Sequence, residues 1–146
     1  MKKFLPERAA KAVIVSQDKV LVLEKALSAL DPTTDDASGL DLPGGRALPD
    51  ETYEEALVRE VLEETGLAVE PIELIEEWQI TVDTCVLRGR TYLCAVTGGQ
   101  LCVSSTEHRG SHWLSANEIP PTFSARSACV GGLRALENTN AQQSGQ

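Results

Sequence analysis

Aromatic side chains are scarce: two Trp, two Tyr and two Phe make up 4% of 146 residues. A buried core must therefore be mainly aliphatic, and the rings that exist are needed either for packing or for stacking on a ligand. Blocks of Lys or Arg are absent, and the net charge is −9. Such a surface repels nucleic-acid backbones and anionic membranes at long range, which argues against duplex DNA or RNA as a partner. No apolar run reaches the ~18 residues needed to span a bilayer. Behind Met1, Lys2 and Lys3 there is no long apolar segment, so a signal peptide is not expected. Cys85, Cys94, Cys102 and Cys129 form no C-x-x-C pair, and only His108 and His112 are available to complete a zinc site. The four are expected to be reduced, mostly buried thiols in a cytoplasmic protein.

What is present fits one globular domain. Hydrophobic residues make up 42% and charged residues 24%, near the globular average. We expect a single domain over residues 1–137 and a polar, disordered tail over 138–146. Residues 12–15 and 19–23 read as strands joined by turn chemistry at Ser16, Gln17 and Asp18. A loop follows across 26–39, then a short extended segment at 40–42 ahead of Pro43, Gly44 and Gly45. Residues 52–65 carry helical periodicity, with Thr52 and Glu55 spaced for a capping box and Gly66 placed for a left-handed cap. Leu57, Val58, Val61 and Leu62 fall on one side and are expected to face the core. Strands follow between 76 and 86, with a hairpin turn at Arg88, Gly89 and Arg90 and a return strand over 91–97. A turn at Gly98 and Gly99 precedes 101–103, and 112–114 is a last short strand. Ser115 and Glu118 form a second capping box. Residues 124–137 are expected to be helical, weakened by Gly131 and Gly132.

The chemistry concentrates in one helix. Glu60, Glu63 and Glu64 fall within an arc of about 100°, and like charges at these spacings destabilise a helix by some tenths of a kcal/mol per pair. A divalent cation among their oxygens would offset that repulsion, because hard cations take carboxylate, carbonyl and water ligands. A solvated acidic face is the plainer alternative.

The wider pattern decides between them. Residues 45–67, GRALPDETYEEALVREVLEETGL, resemble the Nudix box: Gly45, then Glu51 at the required interval, then Arg59-Glu60-Val61-Leu62-Glu63-Glu64-Thr65-Gly66-Leu67. Every fixed position matches. The resemblance implies an α/β (α+β) fold, an α/β/α sandwich with a mixed sheet. It also implies hydrolysis of a diphosphate linkage in a nucleoside diphosphate derivative or a nucleoside triphosphate. Glu60, Glu63 and Glu64 would then bind Mg²⁺, with Mn²⁺ as a substitute and the Gly45 carbonyl as a further ligand. Arg59 would pair with Glu51 or Glu63 and hold the cluster. Glu60 or Glu64 would take the proton of the attacking water. The family often adds an acidic residue from a later loop, for which Glu107 is the candidate. Family habit is also compatible with a homodimer.

Other motifs fail. Gly44-Gly45-Arg46 lacks the ending of a phosphate-binding P-loop, the acidic loop after Asp31 has Asp36 and Leu42 where a calcium loop needs Gly and Glu, and no G-x-S-x-G occurs. Arg8, Lys25 and Arg46 are the candidate phosphate-neutralising residues. Trp78, Tyr92 and Phe4 are the candidate stacking rings, and the 26–39 loop is long enough to carry specificity. The rival readings are a non-nucleotide diphosphate substrate and a catalytically silent binding module.

Overall fold

Strand β1 (Glu7–Ser16) runs through the middle of the molecule, and its side chains alternate between two buried faces. Ala10, Ala12 and Ile14 point into one core, and Val13 into the other. This is the signature of a strand covered on both sides. The computed structural model describes residues 6–26, 38–103 and 107–144. Phe4 and most of the 26–39 loop therefore lie outside the described residues.

Helix α1 (Tyr53–Thr65) covers one face of the sheet, and α2 (Arg126–Ser144) covers the other. The remaining strands are β2 (Lys19–Lys25), β3 (Leu40–Asp41), β4 (Gly44–Arg46), β5 (Leu67–Val82), β6 (Cys85–Gly99) and β7 (His108–Leu114). Among the described residues they form one mixed sheet in the order β3-β2-β1-β6-β5, with β4 attached to β1 and β7 to β2. The β1–β6 pair is parallel and the others are antiparallel. The expected sandwich with a mixed sheet is the observed architecture. Among the described residues, no helix is long and apolar enough to cross a membrane.

Several local expectations need correction. The β5–β6 hairpin turns at Asp83 and Thr84, where Asp83 adopts φ 55°, and not at Arg88-Gly89-Arg90. Gly89 instead lies inside β6, where a Cβ would stand 2.1 Å from the Trp78 ring. Its missing side chain makes room for an indole, a requirement that turn chemistry imitates in sequence. β5 begins at Leu67 and absorbs Pro71 at a register shift. Residues 101–103 have no regular secondary structure. Their backbone closes the end of α1, with Cys102 N–H donating to Thr65 O at 2.7 Å. On α1, Leu57 and Val61 are buried, whereas Val58 and Leu62 are 36% and 52% exposed. Gly132 does not weaken α2 so much as let it approach: a Cβ there would meet Val13 Cγ1 at 2.7 Å. The helix continues to Ser144. Cys94 and Cys129 are buried as expected, but Cys85 and Cys102 are exposed. Burial pushes the Cys94 and Cys129 thiols up to about 12, which leaves them inert.

Candidate active site

Helix α1 is placed by its two ends and one stripe. Thr52 Oγ1 accepts from Glu55 N–H at 3.1 Å, and Glu55 returns the bond to Thr52 N–H at 2.9 Å. Gly66, at φ 75°, ends the helix in the left-handed conformation and donates to Leu62 O. Leu57 and Val61 are fully buried, each contributing roughly 1.5–3 kcal/mol. Their burial fixes the roll of the helix. The three box glutamates then lie at graded depth, with side-chain exposures of 13% for Glu64, 22% for Glu60 and 59% for Glu63. The last turn carries no basic residue to offset their charge.

Arg59 organises the exposed side of this cluster. Its Nε and Nη2 donate to the two oxygens of Glu51 at 2.7 and 2.8 Å. Nη1 reaches Glu60 at 2.9 Å and Glu63 at 3.4 Å, and Nη2 also reaches Arg46 O at 3.2 Å. Both expected partners, Glu51 and Glu63, are used. Hydrogen bonds from Arg59, with help from Leu48 N–H, pull the Glu51 carboxyl down to about 2.

The buried side is organised by residues that sequence reading did not single out. Glu64 Oε1 accepts from Gly44 N–H at 3.4 Å, and Oε2 faces His108 Nδ1 at 3.7 Å. Glu64 Oε2 is buried and has no hydrogen-bond partner among the described residues. Burial pushes this carboxyl up to about 7, only partly opposed by the charges of Lys11 and His108. His108 Nε2 lies 3.2 Å from Asp41 Oδ2, and Lys11 Nζ lies 3.2 Å from Asp41 Oδ1 and 3.1 Å from Leu42 O. Burial acts to raise the Asp41 carboxyl, yet Lys11 and His108 hold it below its usual value. Gly44 adopts φ 134°, and a Cβ at Gly45 would stand 2.7 Å from Glu60 Oε2. Glycine at position 45 therefore allows the main chain to approach a box carboxylate closely. Lys11 does carry a sequence signal, a single charge within the apolar run of residues 9–15.

A cavity of about 330 Å³ adjoins the site on the α2 face, lined by Lys11, Lys25, Asp41, Trp78, Thr91 and Phe123 among others. Lys25 and Trp78, of the substrate candidates, line this cavity. Arg8 instead donates to Leu48 O at 3.1 Å and stacks on Tyr53, bracing the box loop. Arg46 pairs with Glu7 at 2.6 Å. Tyr92 is buried and donates to Glu54 at 2.7 Å, so its ring is not open for stacking. Glu107 accepts from Ala26 N–H through its main-chain carbonyl, and its side chain is exposed.

A family model described as the NUDIX domain matches residues 5–130. "Phosphatase NudJ" of Escherichia coli (strain K12) is 30% identical over 148 aligned residues, covering 98% of this chain and 87% of that protein. The chain belongs to the Nudix family of hydrolases. The "Putative 8-oxo-dGTP diphosphatase" of Bacillus subtilis (strain 168) is 36% identical over 101 residues, 69% of this chain and 66% of that protein. The solved NUDIX hydrolase from Nitrosomonas europaea shares the fold with a TM-score of 0.70, at 25% identity over 90% of each chain.

Nudix proteins generally use divalent metal ions, and the donor set here fits one. It offers the hard oxygens of Glu60 and Glu64, the close backbone of Gly45 and the buried, unbonded Glu64 Oε2. Among the described residues, no three His, Cys, Asp or Glu side chains are gathered to hold an ion as they stand. Arg59 holds Glu60 and Glu63 on its own nitrogens.

Proposed function

We propose that this Nudix protein is an Mg²⁺-dependent hydrolase, able to substitute Mn²⁺, that splits the diphosphate linkage of a nucleoside triphosphate or nucleoside diphosphate derivative. The observation that carries the reading is Glu64: a buried carboxylate with an unbonded oxygen, beside Glu60 and the Gly44–Gly45 backbone. A bound cation would withdraw charge from the diphosphate and lower the pKa of a water ligand. Glu60, Glu64 and the main chain at Gly45 would hold it, and Arg59 would keep Glu60 and Glu63 in reach through its grip on Glu51. Glu63, the most exposed of the three, would contribute from the solvent side. Either Glu60 or Glu64 would accept the water proton.

The adjoining cavity suits the organic part of the substrate. It offers the ring of Trp78, which donates its indole N–H to Thr91 at 3.0 Å and so is held in a fixed orientation. Phe123 adds apolar surface, while Lys25 supplies a cation toward a phosphate. The name of the NudJ relative supports phosphate chemistry, and that of the B. subtilis relative, a putative 8-oxo-dGTP diphosphatase, supports a nucleotide substrate.

The test is cleavage of nucleoside triphosphates, nucleotide sugars, dinucleotides and isoprenoid diphosphates, read by chromatography of the mononucleotide, pyrophosphate, sugar phosphate or phosphate released, each with Mg²⁺, with Mn²⁺ and with chelator. Metal-dependent release from a nucleotide class is expected, and Glu64→Gln should lose it while remaining folded. Release confined to non-nucleotide diphosphates would overturn the substrate class. No release from any compound would overturn the catalytic reading and favour a binding module.

A further inference from the structure

Five contacts close a ring around the buried face of the site. Lys11 on β1 holds Asp41 on β3 at 3.2 Å, and Asp41 holds His108 on β7 at 3.2 Å. His108 faces Glu64 on α1 at 3.7 Å, and Glu64 accepts from Gly44 on β4 at 3.4 Å. Gly44 is the ladder partner of Lys11, which completes the circuit. The polarity of the ring follows from its members. Asp41, kept ionised by Lys11, can only accept, so His108 Nε2–H must donate to it. That bond sets the ring orientation of the imidazole and leaves Nδ1 3.7 Å from Glu64 Oε2, beyond hydrogen-bond distance, so the ring bounds the position of that oxygen by packing and not by a bond. The His108 side chain is 4% exposed, so packing allows few alternatives.

We propose that Asp41 and His108 are positioning residues for Glu64. They keep its second oxygen aimed into the site, where it meets a divalent cation, and so set the affinity of the protein for that ion. The inference rests on the metal-dependent reading above. It adds residues that lie outside the box and act only through Glu64. Carboxylate–imidazole pairs behind a ligating group act in this way, and their loss costs roughly 10–100-fold in metal affinity. Lys11 completes the device by tying Asp41 to Leu42 O, beside the glycine turn.

The experiment is a titration of the substrate-free protein with Mn²⁺, following the free-ion signal by electron paramagnetic resonance. Wild type is compared with Asp41→Asn, His108→Phe and His108→Gln, with thermal melts in chelator as a folding control. Because no substrate is present, any effect of Asp41 on the cavity does not enter the readout. Asp41→Asn and His108→Phe should bind Mn²⁺ roughly 10–100-fold more weakly, with His108→Gln between them and wild type. In turnover assays the loss should be large at limiting Mn²⁺ and shrink at saturating Mn²⁺, which a catalytic role would not show. If His108→Phe fails to fold, Asp41→Asn carries the test alone, since it alters one atom of the ring. Affinities within twofold of wild type would overturn the positioning role. A wild-type protein that takes up no Mn²⁺ would overturn the metal reading itself, and this inference with it.

Discussion

Arg59 and Glu51 form a two-pronged pair, Nε and Nη2 against both carboxylate oxygens at 2.7 and 2.8 Å. The pair spans the gap between the loop before α1 and the helix itself. The same guanidinium also holds Glu60 and Glu63, so one side chain ties the loop to two box glutamates. Lysine has neither the planar fork nor the reach to serve four partners. Arg59→Lys should therefore lower kcat/KM by roughly 10–100-fold while the protein remains folded. Steady-state kinetics with a melting curve check this; a loss below threefold would show that Arg59 is an ordinary surface partner.

Gly44 and Gly45 are adjacent but constrained for different reasons. A Cβ on Gly44 would meet Ala10 O at 2.1 Å, a backbone atom in the central strand, with φ at 134°. Gly44→Ala should therefore cost on the order of 3 kcal/mol or more in denaturant unfolding. A Cβ on Gly45 meets only the far end of Glu60. Gly45→Ala should keep stability within about 1 kcal/mol and lose roughly tenfold or more in turnover by displacing that carboxylate. Equal effects of the two changes on stability would contradict this division.

Glu64 gives the metal-free protein a pH dependence of definite sign. Its folded pKa, about 7, lies above the ordinary 4.5. The fold therefore binds a proton more tightly than the unfolded chain does. Stability present below pH ~4.5 is lost as the pH rises through about 7. In chelator, wild type should lose on the order of 2 kcal/mol more than Glu64→Gln between pH 4.5 and 8, or roughly 4–8 °C in Tm. Parallel melting profiles for the two proteins would rule this out.

The local signals that were legible in the sequence share one property: they are satisfied within a few residues. The Thr52–Glu55 capping box and the Gly66 cap are examples, and both appear at the expected places. So is the β1–β2 turn, where Gln17 and Asp18 take φ 52° and 62°. The signals that misled were satisfied at a distance. Gly89 answers to Trp78 and Gly132 to Val13, partners that only the fold brings near. Val58 and Leu62 fit the apolar stripe by period, but of these four residues α1 buries only Leu57 and Val61. In the site, Arg59 and the box glutamates were readable because they occupy one helix. Lys11, Asp41 and His108 come from three separate strands, and Glu107, the predicted loop acid, lies next to the residue whose side chain does reach Glu64.

Strand β5 ends the strand order, and a terminal strand offers its free amides and carbonyls as a template for any passing chain. Here that rim is long and carries exposed Ile72, Leu74 and Ile80, a composition that invites self-adhesion. Glu70, Glu73 and Glu77 punctuate it with negative charge, and its shifts of register keep it from lying flat. The acidity that opposes polyanions thus has a second use, as colloidal insurance along the open border of the sheet.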